Sequence, residues 1–325
     1  MREPCAASWP CADRQSGAAI LLAILTVALV AGVAAAVIAD HGRAVASTSG
    51  RHDQAQARLL ARGAVDWARN ILAADAHASA IDHEGEAWAT RVPPTPADEG
   101  GEVGGDLADL SGHFDLNSLA KNGGVDERQS ARYRRLLILL GVPEDRAAAL
   151  TLALIDWLDA DDLAAGDGQS EIGQYAAYAA DAAAAPARRP ANGPLVDVDE
   201  LALVHGYDLP LVARLRPFIV ALPVAAPINV NTAPAEVLAA VLDGPGAEKA
   251  SLIVGARRQA PFKDVADFLA RAGLADAGAG TNRLAATSRY FMASVRARYG
   301  EATTQLQVML DRQGAWPDIV WQKIQ

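Results

Sequence analysis

The sequence predicts an α+β protein: a long N-terminal helix packed on a small antiparallel sheet, with a large all-α insert between them. Three observations predict it. An apolar run from Ala18 to Ala39 continues without proline to about Ala74. A block from about Asp115 to Asp276 is rich in alanine and leucine and breaks into short helical patterns. The stretch "TSRYFMASVRARYGEATTQLQVMLDR" alternates apolar and polar residues with period two.

The apolar run comes first. Its 22 residues carry no charge and are interrupted only by Thr26 and Gly32. As a helix it spans about 33 Å, close to one hydrocarbon core. A secretory signal has a shorter apolar centre. Three readings stand: an anchor that is retained, a signal cut after Ala39, or a helix buried in a soluble core. Arg2 and Arg14 precede the run beside Glu3 and Asp13, and Arg43, Arg51 and Arg58 follow it. The distal arginines weigh against placing the body outside the cell interior.

Beyond the run, residues 40–114 hold the rest of the helix and the start of the domain that carries the sheet. Leu60, Ala64, Trp67 and Ile71 recur at helical spacing and predict the packed stripe. "RVPPTPADEGGEVGGD", Arg91 to Asp106, is dense in proline and glycine and reads as an exposed loop.

The insert, residues 115–276, reads as two related helix-hairpin, SAM-like units at about 115–222 and 228–276. "FDLNSL" at Phe114 echoes "INVNTA" at Ile228, and "VDVDELALVHG" echoes "FKDVADFLARAG". "AAAAPARRPANGP", Ala182 to Pro194, reads as a linker or flap, and "LADAGAGTN", Leu274 to Asn282, as a joint. Residues 283–325 then form the C-terminal hairpin. Phe291, Ala293, Val295 and Ala297 share one face of its first strand; Leu306, Val308 and Leu310 share one face of the second. Tyr299, Gly300 and Glu301 supply the turn. A hairpin alone is marginal, so the long helix is expected to cover it.

Composition narrows the chemistry. The net charge of −10 over 325 residues makes nucleic acid a poor default partner. Both cysteines, Cys5 and Cys11, precede the apolar run, so the body relies on no disulfide. "DWLDADDLAAGDGQSEIGQY" offers the best ligand cluster. Asp159, Asp161, Asp162, Asp167 and Glu171 fall within thirteen residues around two glycines, a hard-oxygen donor set suited to calcium, though not in EF-hand register. The alternative is a solvated acidic helix end. "GPGAEKA", Gly244 to Ala250, resembles the helix-hairpin-helix turn of DNA-binding and DNA-uptake proteins, with Lys249, Arg257 and Arg258 as its cations and Asp243 and Glu248 against it. A membrane-anchored DNA-binding module is therefore the rival reading. His77 and His83 lie near Asp82, Glu84 and Glu86 without zinc spacing. No nucleophile elbow or phosphate-binding loop gives a reason to name an enzyme.

"RQSG", Arg14 to Gly17, directly precedes the run and resembles a type IV prepilin leader. The resemblance implies that residues 1–17 are a leader, removed by a prepilin peptidase between Gly17 and Ala18, and that the helix of residues 18–39 is kept. Most such proteins carry glutamate at the fifth mature position, to pair with the N-terminal ammonium of a subunit already in the filament. Here that position is Leu22. Leucine suits a subunit without a predecessor, or simply any membrane helix.

Leader, long helix, helical insert and terminal hairpin stand in that order, with "DLNSL", "IDWLDADD", "VDELALVHG" and "INVNTAPAEVLAAV" inside the insert. Together they resemble the GspK family of large minor pseudopilins of bacterial type II secretion systems. The resemblance implies a single-pass inner-membrane protein with its body in the periplasm. It also implies two smaller minor pseudopilins, GspI-like and GspJ-like, as partners at the tip of the pseudopilus. There it would prime assembly of the major pseudopilin. Calcium at the acidic cluster is implied too.

Overall fold

One helix, α1 (Ser16–Ala78), runs 63 residues without a break and is about 95 Å long at the usual rise. The computed structural model describes residues 16–97, 100–121, 124–160, 191–242, 245–274 and 283–324. Among the described residues, only the second half of α1 has protein against it. Ala61, Val65, Ala68 and Leu72 are buried at spacings of four, three and four, which keeps them on one face. The buried stripe is thus offset by one position from the sequence reading. Leu60, Ala64 and Ile71 flank it half-buried, and Trp67 is 54% exposed.

The face meets a five-stranded antiparallel sheet. Its strands are β1 (Val92–Ala97), β2 (Gly101–Asp109), β9 (Tyr290–Tyr299), β10 (Ala302–Asp311) and β11 (Asp318–Ile324), in the order β1-β2-β9-β10-β11. The hairpin β9–β10 is as expected. Phe291, Ala293, Val295, Ala297, Leu306, Val308 and Leu310 all pack on α1. Tyr299 pairs with Ala302, leaving Gly300 and Glu301 as a two-residue turn. Gly300 has φ +54°, the positive value such turns demand at their first central position.

Residues 91–106 are not the exposed loop that their prolines and glycines suggest. Most of them form β1 and the front of β2. Pro93, Pro94 and Pro96 are tolerated because β1 is an edge strand, with a register irregularity between Val92 and Thr95. The glycines of β2 allow close approach. A Cβ on Gly101 would lie 2.4 Å from Leu60, and one on Gly105 the same distance from the Ser294 carbonyl. Beyond the expected hairpin, β11 adds a further strand, pairing antiparallel with β10.

The insert folds as two units of one design, and it is not purely helical. Unit one starts with β3 (Phe114–Asp115) and a hairpin of strands β4 (Ala120–Lys121) and β5 (Gly124–Val125). Helices α2 (Glu127–Leu139) and α3 (Glu144–Leu158) follow. A 3-10 turn at Val198–Leu203 and helix α4 (Leu209–Leu215) lead to β6 (Ile219–Val220), which pairs parallel with β3. Unit two starts with β7 (Ile228–Asn229), runs through α5 (Ala235–Val241), α6 (Pro245–Gln259) and α7 (Val265–Arg271), and closes on β8 (Leu284–Ala285), parallel to β7. Both units share one apolar core, from Phe114 and Tyr133 to Phe262 and Phe268.

Candidate functional site

Two regions distinguish this chain from an ordinary folded domain: the bare half of α1 and the joint where the insert meets the sheet.

Ile20, Leu21, Leu22, Ile24, Leu25, Val27, Leu29, Val30, Val33, Val37 and Ile38 are all exposed. Among the described residues α1 is the one helix long and apolar enough to cross a membrane. Water would penalise so much uncovered apolar surface by about 25 cal/mol per Å². A bilayer removes that penalty, and the helix satisfies its own backbone groups within the bilayer. Thr26, the one hydroxyl here, donates to the Ala23 carbonyl at 2.9 Å and so costs little in lipid. Gly17 and Ala18 lie within the first turns of α1, and Leu22 is 65% exposed among the lipid-facing residues. Arg14 lies outside the described residues.

The joint is polar and buried. Asp82 lies four residues past α1 and is 2% exposed. Its amide donates to the Ala286 carbonyl at 2.9 Å, its carbonyl accepts from Asn229 Nδ2 at 3.0 Å, and its carboxylate accepts from the Ser288 amide at 2.6 Å. Arg312, just past β10, donates to Asp75 Oδ2 at 2.9 Å, to Asp82 Oδ1 at 2.6 Å and to the Ser288 carbonyl at 2.8 Å. Asp109 closes the other side, accepting from the Ser111 amide at 2.7 Å and from the Thr232 hydroxyl. Last turn of α1, end of β2, start of unit two and end of β10 therefore meet in one network. The sequence reading found none of it, since Asp82 and Arg312 are 230 residues apart and no local pattern links them.

Burial pushes Asp109 up to about 6, against hydrogen bonds from Thr232, Ser288 and Ser111 that pull it down. Burial, then Glu86 and Asp82, push Asp75 to about 6 despite Arg312. Asp75, Asp82 and Glu86 bring carboxylate oxygens within 4.8 Å of one another. The Arg312 guanidinium already holds Asp75 and Asp82, and the indole of Trp88 donates to Glu86 at 2.8 Å. His83 is a local partner of Glu86, whose Oε2 accepts from its amide at 2.9 Å.

Of the five carboxylates read as calcium ligands, Asp159 is buried at the C-terminal end of α3, where its amide donates to the Ile155 carbonyl at 2.9 Å. Asp161, Asp162, Asp167 and Glu171 lie outside the described residues, as do most of the linker at 182–194 and the joint at 274–282.

The hairpin turn read for DNA does not present its cations. Asp243 and Gly244 lie outside the described residues. Lys249 donates to the carbonyls of Ala272 and Gly273, both at 3.2 Å, and so caps the end of α7. Arg257 donates to the carbonyls of Val230, Thr232 and Ala233. Of the three, Arg258 alone stays exposed without such a role. One exposed arginine does not make a phosphate surface in a chain of net charge −10.

Residues 112–224 and 228–287 match two successive parts of a family described as type II secretion system (T2SS), protein K. The type II secretion system protein K of Pseudomonas aeruginosa is 35% identical over 305 residues, covering 92% of this chain and 89% of that protein. The protein of the same description from Klebsiella pneumoniae is 32% identical over 314 residues, covering 93% and 94%. Among solved structures, a chain in the crystal structure of the GspK-GspI-GspJ complex from enterotoxigenic Escherichia coli matches with a TM-score of 0.72 and 25% identity. The match covers 86% of this chain and 99% of that one.

Proposed function

The chain belongs to the type II secretion system protein K family, and on that premise we propose that it caps the pseudopilus and primes its assembly. As a member of the family it is a minor pseudopilin, a structural component of the secretion system, anchored by a single membrane pass. The finer reading rests chiefly on one observation. Among the described residues nothing covers residues 18–39 of α1, while residues 57–72 are clad by the sheet. A stem of this kind is stable in a bilayer, and outside it only against other apolar stems. Gly32, Ala34, Ala35 and Ala36 let such stems approach closely.

In this reading a prepilin peptidase cuts between Gly17 and Ala18, and the body stands in the periplasm. The GspK-like neighbour was crystallised with GspI and GspJ, and two corresponding smaller minor pseudopilins are the partners proposed here. The major pseudopilin then stacks beneath the trio. Calcium is proposed at Asp159, Asp161, Asp162, Asp167 and Glu171, where five carboxylates within thirteen residues supply hard oxygen donors. Asp159 sits at the C-terminal end of α3, where the helix dipole favours a cation.

N-terminal sequencing of the chain recovered from membranes tests the processing. Alanine 18 at the start supports it; aspartate 40 or an intact leader overturns it. Priming is tested by deleting the chain from a secreting strain: short or absent pseudopili are expected, and normal pseudopili with normal export would refute the role.

A further inference from the structure

We propose that the carboxylates gathered around Arg312 form an acid-tightened latch that fastens the insert to the end of α1. The latch lies wholly in the body of the protein and does not depend on the membrane reading.

The geometry is one of unequal charge. Asp75 comes from the last turn of α1, Asp82 and Glu86 from the loop after it, and Asp109 from the end of β2. Among the described residues one guanidinium, Arg312, holds Asp75 and Asp82, and its side chain is 8% exposed. The other nearby arginine, Arg289, is committed elsewhere, donating twice to the Asp311 carboxylate at 2.7 Å and once to Gln313 at 2.8 Å. The His83 ring reaches Glu86 Oε1 at 4.0 Å, and the buried His113, held below its ordinary value by desolvation, meets the Asp109 backbone. Among the described residues Asp75, Asp82 and Glu86 thus lie within 4.8 Å of one another at one cation, with Asp109 buried nearby on the neutral Thr232 and Ser111, and low dielectric makes the surplus of negative charge costly.

Protons relieve that surplus. Asp75 and Asp109 each sit near 6, against about 4 for an open, solvated carboxyl. Between those values the closed joint keeps a proton that the open joint has released. Opening therefore costs more in acid and less as the pH rises through 6. A cleft of about 450 Å³, lined by Ala76, Asp82, Ser288, Arg289 and Arg312 among others, brings water to the Asp82–Arg312 side of the cluster. What the latch holds is visible in the same bonds. Asn229 and Thr232 of unit two, Ser288 before β9, and α1 are tied through Asp82, Asp109 and Arg312.

The test is hydrogen exchange on the full chain in detergent, at pH 5.5 and 7.5, corrected for the intrinsic pH dependence of exchange. The amides to follow are those of Asp82, Asn229 and Ser288. Protection should be greater at pH 5.5, by about fourfold for each of the two carboxyls. The difference should vanish in the double variant Asp75→Asn, Asp109→Asn, and fall by about fourfold in Asp75→Asn alone if the double variant does not fold. Equal protection of the parent at the two pH values, or an undiminished difference in the variants, overturns the latch.

Discussion

Asn117 and Asn231 make the same pair of bonds in the two units of the insert. Asn117 Oδ1 accepts from the Leu195 amide at 2.9 Å while its Nδ2 donates to the Leu195 carbonyl at 2.9 Å. Asn231 does the same with Phe262, at 2.8 Å and 2.9 Å. Two residues before each stands an Asx turn, in which Asp115 accepts from the Asn117 amide and Asn229 from the Asn231 amide. Two residues after Leu195 and Phe262, Asp197 and Asp264 cap the next helical turn. Gly206 and Gly273, each with positive φ, follow at the same interval.

Replacing Asn231 by alanine should therefore strand both backbone groups of Phe262, a residue with no exposure. The expected cost is about 2–4 kcal/mol. Asn117→Ala should cost at least as much, since Nδ2 also reaches the Leu222 carbonyl at 2.9 Å. Chemical denaturation of the two variants measures both; losses under about 0.5 kcal/mol would mean that the clamps do not carry the units.

The repeat was legible because its markers are local. Asx turns and caps need particular residues at fixed offsets, so "DLN" and "NVN" announce themselves. The hairpin β9–β10 was legible for the same reason, through alternation and Gly300. What failed was tertiary. Glycine and proline in residues 91–106 read as breakers because nothing in the sequence says that a helix presses on one face of the strand and solvent lies at its edge. The stripe on α1 was misplaced by one residue because alanines populate both neighbouring faces, and only the sheet decides between Ala64 and Ala61. At the candidate site, the apolar stem was plain from residues 18–39. The joint around Arg312 was invisible, since its members come from four separate stretches. The cations of the hairpin turn were legible as charges but not as carbonyl ligands.

Gly105 and Gly63 offer a contrast. A Cβ at Gly105 would meet the Ser294 carbonyl at 2.4 Å and the Val295 Cα at 3.2 Å, both backbone atoms of the neighbouring strand. Gly105→Ala is expected to cost about 2–4 kcal/mol by forcing β2 off β9. Gly63 sits in α1 with nothing within 4 Å of its Cβ position. Gly63→Ala should stabilise by about 0.5–1 kcal/mol through helix propensity. Thermal melts of the two variants should shift in opposite directions.

Asp115 sets a pH dependence of its own. Burial pushes it up to about 7, opposed by the amides of Leu222 and Asn117 and by the more distant Arg283. Its folded value lies above its unfolded one, so the native state holds the proton more tightly. Stability from this group is full below about 4 and is lost as the pH rises to 7. Asp115→Asn keeps an acceptor for both amides and removes the charge. The variant should be more stable than the parent at pH 8, by about 2–4 kcal/mol, and no more stable at pH 4. A parent whose stability rises between pH 5 and 8, with no gain in the variant, would contradict this.

Leu22 provides the last test, and it bears on the proposed place of the subunit in the filament. Glutamate in its stead would set a carboxylate among lipid-facing leucines, at an insertion cost of about 2.5–3.5 kcal/mol at mid-membrane and less near the surface. In the proposed assembly, a subunit that joins beneath a predecessor would recover that cost by pairing the carboxylate with the predecessor's ammonium. A subunit that comes first has no such ammonium to meet. Leu22→Glu is thus expected to lower both the amount of chain held in membranes and the export of cargo, while Leu22→Ile leaves both unchanged. Immunoblots of membrane fractions and of culture supernatant read the two effects. If the glutamate variant exports as well as the parent, Leu22 does not mark a first subunit, and its apolar character is no more than what any stem in lipid requires.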